Sequence, residues 1–322
     1  MRLPLSQSNR DHAGESGFAL VLVIWGLGLI SLIAITVMTA ERFRILATAN
    51  LIVSARAEAL AEAGVNLVRV ELISAMGGGS ASGFRFATNG APLVCAMPGG
   101  ALAALAVEDE GGKADLNTAS PKLMSALLRG FGAGLDESDR LAAAIAEFSR
   151  TSRNAVLDDV VFAAYATEGR AYGPKKAPFE SVLELDQVIG MRPDLLRAIL
   201  PYVTVYSRKP GVDPRVAAPA LLAALAGDEP ARVARLEGGE GGADIAVLPP
   251  ELLSPSTSRS FLVRAEIRMP AGGSFVQEAI IELAAGEPPD VVREWRRGGT
   301  RFAARLDAAA RRPGGENGWQ PC

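Results

Sequence analysis

Histidine and cysteine are the scarcest reactive side chains in this sequence. Among 322 residues there is one histidine, His12, and there are two cysteines, Cys95 and Cys322. A single histidine near the first residue leaves little from which to build a zinc site or a histidine-dependent catalytic triad. Two cysteines are too few for a thiolate metal cage or for a fold held together by several disulfides. The composition therefore argues against metal-dependent and His-dependent hydrolytic chemistry.

Positive charge is not in excess either. Lys and Arg number 33 and Asp and Glu number 36, which gives a formal net charge of −3. A dedicated nucleic-acid binder draws its affinity from Lys and Arg that neutralise phosphates. The apolar fraction of 49% is ample for a hydrophobic core, and the length allows one large or two medium domains.

One long stretch carries no charge at all. No residue between Glu15 and Glu41 is charged, and residues 18–40 are mostly Leu, Ile, Val and Ala. As a helix these residues would span about 34 Å, enough for a bilayer core of about 30 Å. A cleaved signal peptide has an apolar region of only about 7–15 residues. We therefore predict a retained membrane span at 18–40.

The residues after this span continue the helical pattern. Residues 41–75 contain no proline and one glycine, and they are rich in Ala, Leu, Arg and Glu. Their apolar side chains recur three, four or seven positions apart, as on one face of a surface helix: Ile45, Ile52, Ala59, Ala63, Leu67 and Val70. Glycines at 77–79 are typical of a helix end. We predict a second half of the same helix at 41–76, with a break near 41–44 as the alternative.

The rest of the chain alternates between strand and helix patterns. Asn-Gly and Pro-Gly turns separate short strand-like runs at 84–112, and alternating apolar residues predict further strands at 257–297. Residues 113–227, between these two regions, have a helical pattern. We predict an α+β fold in which the long N-terminal helix packs on a small antiparallel sheet. An all-α domain is inserted into this sheet, with parts at 113–178 and 179–227.

The junction before the apolar helix is distinctive. A polar segment, residues 1–17, ends in Gly17 directly before Phe18. This junction resembles the leader of the type IV prepilin family. The resemblance implies that a prepilin peptidase cleaves between Gly17 and Phe18 on the cytoplasmic side and that the new amine of Phe18 is methylated. It also places the N-terminus in the cytoplasm, which the local charges do not establish by themselves.

One residue departs from the general pilin pattern. When Phe18 is counted as the first mature residue, the fifth is Leu22, where pilin-like subunits usually carry Glu. A carboxylate inside a bilayer is costly unless it has a partner, and in a pilus that partner is the amine of the neighbouring subunit. Leu22 cannot make this pairing, which suits the first subunit of a filament because no subunit precedes it.

Three further segments narrow the resemblance. Residues 111–120 (GGKADLNTAS), 169–207 and 211–225 (GVDPRVAAPALLAAL) look like the protein K family of type II secretion systems, the minor pseudopilins. The resemblance implies a pilin-like fold with an inserted SAM-like domain. It also implies a single-pass protein of the inner membrane with a periplasmic soluble domain. The implied function is to nucleate and cap the pseudopilus tip, with minor pseudopilins I and J as partners. No role is predicted for residues 298–322.

The residues that we expect to contact lipid and other subunits lie on the long N-terminal helix. In this reading one apolar face packs in the membrane and against other subunits; its members are Phe18, Leu22, Ile45, Ile52 and Leu67. No nucleophile–base pair with a catalytic spacing is present, so we expect no enzyme activity.

A second function class stays open. Residues 185–200 (LDQVIGMRPDLLRAIL) resemble a helix-hairpin-helix with Gly190 at the turn, and such hairpins often bind DNA phosphates. Residues 115–206, however, hold ten Lys or Arg and twelve Asp or Glu, a poor basis for phosphate binding. We expect no nucleic-acid partner. A membrane-anchored DNA-binding or DNA-uptake protein and a minor pilin of a type IV pilus remain the alternatives.

Two further sites are left open by the sequence. Carboxylates of the helical region, above all Asp158 and Asp159, could supply oxygen ligands to Ca²⁺, and some members of the resembled family hold calcium there. Solvated helix ends explain the same residues without a metal, and no other cofactor is expected.

Cys95 and Cys322 would both lie in the periplasm, where a disulfide persists, but their spacing does not show whether they meet.

Overall fold

The computed structural model describes residues 16–76, 86–151, 155–227, 248–311 and 320–322. The predicted leader, apart from its last two residues, and the glycines at 77–79 lie outside these residues. The chain divides into two compact units, Met1–Arg56 and Ala57–Cys322.

A single long helix begins in the first unit. Helix α1 covers Ser16–Met76, within two residues of the predicted 18–76. Between Phe18 and Ala40 every residue except the half-buried Gly26 is exposed. In the described part of the chain this is the one helix that is long and apolar enough to cross a membrane. It is therefore a candidate membrane anchor.

The second unit contains a five-stranded antiparallel sheet with the order β1-β2-β5-β6-β7. Its strands are β1 (Leu93–Met97), β2 (Ala101–Asp109), β5 (Ser260–Arg268), β6 (Ser274–Leu283) and β7 (Asp290–Arg297). Strands β2 and β5 are neighbours although about 150 residues separate them, and Val107 pairs with Val263 at their centre. The two sheet regions predicted from the sequence thus form one sheet, and the helices lie between them in the chain.

The inserted region is mainly helical. Its helices are α2 (Pro121–Gly130), α3 (Leu135–Ser149), α4 (Ala155–Thr167), α5 (Pro193–Ile199) and α6 (Pro219–Ala226). Short 3₁₀ turns occur at Glu110–Gly112, Val182–Gln187 and Leu200–Tyr202. One hydrophobic core joins these elements, with Leu123, Leu127, Leu195 and Leu221 almost completely buried. The insert therefore has a core of its own.

A small parallel ladder, which the sequence does not predict, ties the two parts of the insert together. Strand β3 (Ala114–Asp115) pairs with strand β4 (Val203–Thr204). Two residues are too few to give a recognisable alternation.

One more helix packs on the sheet. Helix α7 (Ala303–Arg311) follows β7 and packs on β2 and β5.

Candidate subunit-packing surface

In the second unit, small side chains on one face of α1 allow the helix to lie close to the sheet. Five residues spaced three or four apart are nearly inaccessible to solvent: Ala57, Ala61, Val65, Val68 and Leu72. Gly64 lies among them. A Cβ added to Gly64 would be 2.8 Å from Leu105 Cδ2 and 3.2 Å from Ala265 Cβ. The helix can approach β2 and β5 this closely only because residue 64 has no side chain.

An ion pair joins the same part of the helix to the far edge of the sheet. Arg69 Nε lies 2.5 Å from Asp290 Oδ2, and a second guanidinium nitrogen lies 3.0 Å from Oδ1. The Asp290 carboxylate is buried, whereas Arg69 is partly exposed. Hydrogen bonding to Asp290 raises the pKa of Arg69, with burial opposing it. Two parallel hydrogen bonds fix the rotation of the helix as well as its position.

The apolar stripe predicted from the sequence lies on the other side of the helix. Each residue turns an α-helix by about 100°, so Ala59, Ala63 and Val70 point away from the buried stripe. All three are exposed, and Leu67 is half-buried. The sequence-based stripe is therefore not the face that packs within the chain. The Ala and Gly residues at 57, 61 and 64, four and three apart, were the signal for that inner face.

The predicted packing residues of the first unit are exposed as well. The exposed fractions are 71% for Phe18, 58% for Leu22, 66% for Ile45 and 47% for Ile52. Gly17 and Phe18 both lie within the bounds of α1, while residues 1–15 lie outside the described residues. An apolar surface on this scale normally marks contact with lipid or with other proteins.

The C-terminal segment, to which the sequence assigned no role, closes one edge of the sheet. Ala96 N donates to Gln320 O at 2.9 Å, and Cys322 N donates to Ala96 O at 3.1 Å, so residues 320–322 run alongside β1. Cys95 and Cys322 form a disulfide with their Cα atoms 5.1 Å apart. The Cys95–Cys322 pairing, which the sequence left open, is thus present. The C-terminal segment also covers backbone groups of β1 that an edge strand otherwise exposes.

Helix α7 is held on the sheet by apolar and charged contacts. Phe302 and Leu306 pack on Ala104 and Ala106 of β2. The buried carboxylate of Glu266 accepts hydrogen bonds from the backbone N–H groups of Arg301 and Phe302. A negative charge at this position also complements the positive end of the helix dipole.

A buried ion cluster joins the sheet to the insert. Lys113 Nζ lies 3.0 Å from Glu108 Oε2 and 2.6 Å from Glu110 Oε1, and the hydroxyl of Thr204 donates to Glu110. Burial alone would raise the pKa of Glu108, but the charges of Lys113 and Arg301 outweigh it and hold that pKa at about 2. Burial also acts on Glu110 and raises its pKa despite Lys113. The pKa of Lys113 is raised because the two carboxylates outweigh its burial.

The carboxylates proposed for calcium do not come together among the described residues. In the described part of the chain no group of three or more His, Cys, Asp or Glu is placed to hold a metal ion. Asp159 is exposed, and the side chain of Asp158 lies outside the described residues. Asp139 accepts a hydrogen bond from Ser125, and Glu137 pairs with Arg192. Calcium binding at Asp158 and Asp159 therefore stays a prediction.

The segment that resembles a helix-hairpin-helix has only one α-helix. Val182–Gln187 is a 3₁₀ turn, Gly190 has a φ of +80°, and α5 spans seven residues, Pro193–Ile199. The side chain before α5, Arg192, pairs with Glu137 and Asp194. This segment packs into the core of the insert through Leu185, Leu195 and Ile199.

Comparison with protein families finds a match for part of the chain. Residues 102–208, about a third of the chain, match the family described as type II secretion system (T2SS), protein K. This match confirms the resemblance drawn from the sequence motifs. No curated protein matches the chain.

A solved structure extends the comparison to the fold. One chain of the crystal structure of the GspK-GspI-GspJ complex from the enterotoxigenic Escherichia coli type 2 secretion system superposes with a TM-score of 0.51 at 16% sequence identity. The alignment covers 81% of the present chain and 99% of the other. At this identity the likeness concerns the fold. It confirms the pilin-like α+β prediction, in which a long apolar helix is combined with a small antiparallel sheet and further helices.

Proposed function

We infer that this chain works as a minor pseudopilin of a type II secretion system. The observation that carries this inference is the match of residues 102–208 to the protein K family. The fold agrees with it, since α1 uses one face inside the second unit and leaves an apolar face exposed on the opposite side. A mechanical subunit needs such a free face for its neighbours, and it needs no catalytic centre. We propose that the chain is not an enzyme.

Membrane insertion and processing follow from the same reading. Residues 18–40 anchor the chain in the inner membrane as a single span, and the unit from Ala57 onward lies in the periplasm. The prepilin peptidase removes residues 1–17, and the amine of Phe18 is then methylated. The disulfide between Cys95 and Cys322 supports the periplasmic location, because disulfides persist in that compartment.

Two features support a position at the tip of the pseudopilus. Leu22 offers no carboxylate to the amine of a preceding subunit. The insert between β2 and β5 is a domain with its own core, too bulky to repeat side by side along a tightly wound filament. We propose that the chain nucleates and caps the filament and that its partners are minor pseudopilins I and J. The E. coli structure described above is a complex of proteins of that kind.

To test this function, each variant is expressed in a strain that lacks the chromosomal gene, and secretion is measured. We expect Val70→Glu to abolish secretion, because a charge on the exposed helix face would have to be buried against another subunit. Leu135→Glu is the matched control, since Leu135 is equally exposed but lies on the insert, at the start of α3. Both variants should fold and accumulate normally.

The alternatives give different outcomes in the same strain. Loss of DNA uptake with intact secretion would favour a DNA-binding protein, and loss of surface pili with intact secretion would favour a type IV minor pilin. Normal secretion by Val70→Glu would contradict the packing role of the exposed face. Mass spectrometry of the membrane-bound protein tests processing, and an intact leader would contradict the cleavage proposed at Gly17.

A further inference from the structure

A cleft of about 460 Å³ separates the insert from the face of the sheet that is turned away from α1. The insert contributes Leu183 and Tyr202 to its walls, and the sheet contributes Leu262 and Ile280. The volume is in the range of ligand sites, about 300–1,000 Å³. Besides these apolar side chains, the walls hold eight charged ones: Glu108, Glu110, Lys113, Arg264, Glu278, Glu294, Arg296 and Arg301.

These charged side chains form rows across the sheet. Arg264, Glu278 and Arg296 are paired neighbours on β5, β6 and β7. Glu282 lies four residues beyond Glu278 on the same face of β6, because side chains alternate along a strand. Glu282 lies 3.2 Å from Arg208 and 2.6 Å from Arg293.

Apart from Arg264, whose side chain is only 13% exposed, the arginines around the cleft lie outside and the glutamates inside. Four arginine side chains are 44–69% exposed: Arg208, Arg293, Arg296 and Arg301. The four glutamates that pair with them are 7–24% exposed: Glu108, Glu278, Glu282 and Glu294. A molecule that approaches this face therefore meets guanidinium groups, which we call the arginine rim.

The rim has hydrogen-bond donors to spare. Glu278 is shared by Arg264 and Arg296, and Glu282 is shared by Arg208 and Arg293. A guanidinium has five N–H donors, and among the described residues Arg208, Arg293 and Arg301 each pair with a single carboxylate, which leaves most of their donors unused. Arg296 also pairs with Glu294, and Arg264 also donates to Gly299 O. Behind the rim, Arg264 Nε is buried and has no hydrogen-bond partner among the described residues. Unused donors on planar, always charged groups suit a carboxylate ligand.

We propose that this cleft docks an acidic segment of a partner protein. Carboxylates of the segment accept hydrogen bonds from the arginine rim, while apolar side chains between them pack on Leu183, Tyr202, Leu262 and Ile280. The glutamates behind the rim weaken its attraction for every anion, so apolar contacts must add to the binding, and a row of phosphates makes none. The proposal rests on the charges and the shape of the cleft and does not depend on the proposed secretion function.

Binding of a synthetic peptide to the full chain in neutral detergent tests the proposal. The probe is a fluorescent, end-capped peptide of alternating Glu and Leu, and the matched probe has Lys in place of Glu. We expect the acidic peptide to bind, with affinity that weakens as salt rises, and we expect no binding of the basic peptide. Absence of acidic-peptide binding up to about millimolar concentration would overturn the proposal.

Variants locate the binding on the protein. Arg293→Gln combined with Arg301→Gln should weaken acidic-peptide binding by about tenfold or more. Arg293→Lys combined with Arg301→Lys keeps the charges and should recover most of it. Arg129→Gln combined with Arg140→Gln removes two exposed arginines from α2 and α3 and should leave binding unchanged.

Three results would count against the proposal even if the peptide binds. Equal loss in the rim and control variants would show non-specific attraction. Unchanged binding in the folded rim variant, checked by circular dichroism, would place the site elsewhere. Tighter binding of a DNA oligonucleotide than of the acidic peptide would replace the protein segment with a nucleic acid as the ligand.

Discussion

Arg69 of the long helix and Asp290 of the last strand are joined by a two-point ion pair across 221 positions of sequence. The carboxylate is buried and the guanidinium is partly exposed. The pair connects α1 to the edge of the sheet that lies farthest in sheet order from β1. It therefore holds the exposed face of the helix in a fixed orientation relative to the sheet.

Removal of the buried carboxylate should destabilise the second unit. We expect Asp290→Asn to lower its free energy of unfolding by about 2 kcal/mol, less than for a fully buried pair because Arg69 reaches solvent. Urea denaturation of the detergent-solubilised chain, followed by near-ultraviolet circular dichroism, measures this. Arg268→Gln is the control, since the Arg268–Asp307 pair is exposed on both sides. Equal effects of the two changes would contradict a special role for Asp290.

The close approach of α1 to the sheet at Gly64 leads to a second prediction. Gly64→Leu should lower the stability of the second unit by about 2 kcal/mol, because overpacking against Leu105 and Ala265 outweighs the gain in helix propensity. Ala63→Leu adds an identical side chain one residue earlier, on the exposed side, and should change stability by no more than about 0.5 kcal/mol. Thermal melts of the two variants measure the contrast. A stable Gly64→Leu protein would mean that the helix can move away from the sheet at little cost.

The disulfide closes a loop of 227 residues. Cys322→Ser should cost about 4 kcal/mol of unfolding free energy, since the cross-link restricts the unfolded chain over most of its length. Cys95→Ser and the double variant should cost the same amount, because each removes the same bond. Denaturation with and without a reducing agent measures the effect. A further loss in the double variant would show that the cysteines contribute independently.

Acidification should weaken the ion cluster at Lys113. The pKa of Glu108 is about 2 in the folded protein against an ordinary 4.5. Its ionised form therefore adds about 3 kcal/mol of stability above pH 4.5, and this is lost as the pH falls toward about 2. Glu110 acts in the opposite direction, because a raised pKa favours the fold at low pH.

The comparison with Glu108→Gln isolates this effect. The wild-type protein should exceed the variant in stability at neutral pH, and the difference should shrink by about 3 kcal/mol between pH 5 and pH 2. Glu180→Gln changes an exposed glutamate and should leave the pH dependence as it is. A constant difference across this range would show that Glu108 is not stabilised by its ionised form.

Much of the local structure was predictable because it depends on near neighbours in the sequence. The uncharged run at 18–40, the helix formers at 41–75 and the alternating runs of the last three strands each carry a periodic signal of their own. Turn residues, and a helical region lying between two strand regions, then indicated an antiparallel sheet with a helical insert, and the motifs of the insert indicated the protein K family.

What remained was decided by contacts between distant residues, which no local pattern encodes. The sequence identified an apolar stripe on α1 but could not tell which face would meet the sheet, because small residues at 57, 61 and 64 matter only where another surface comes close. The β3–β4 ladder, the C-terminal segment on β1 and the Cys95–Cys322 bond all join parts that lie far apart along the chain. The arginine rim likewise forms only when β7 and the segments that carry Arg208 and Arg301 meet around the cleft. Sequence thus determined which segments become helices and strands, whereas tertiary packing determined which of their faces are left for a partner.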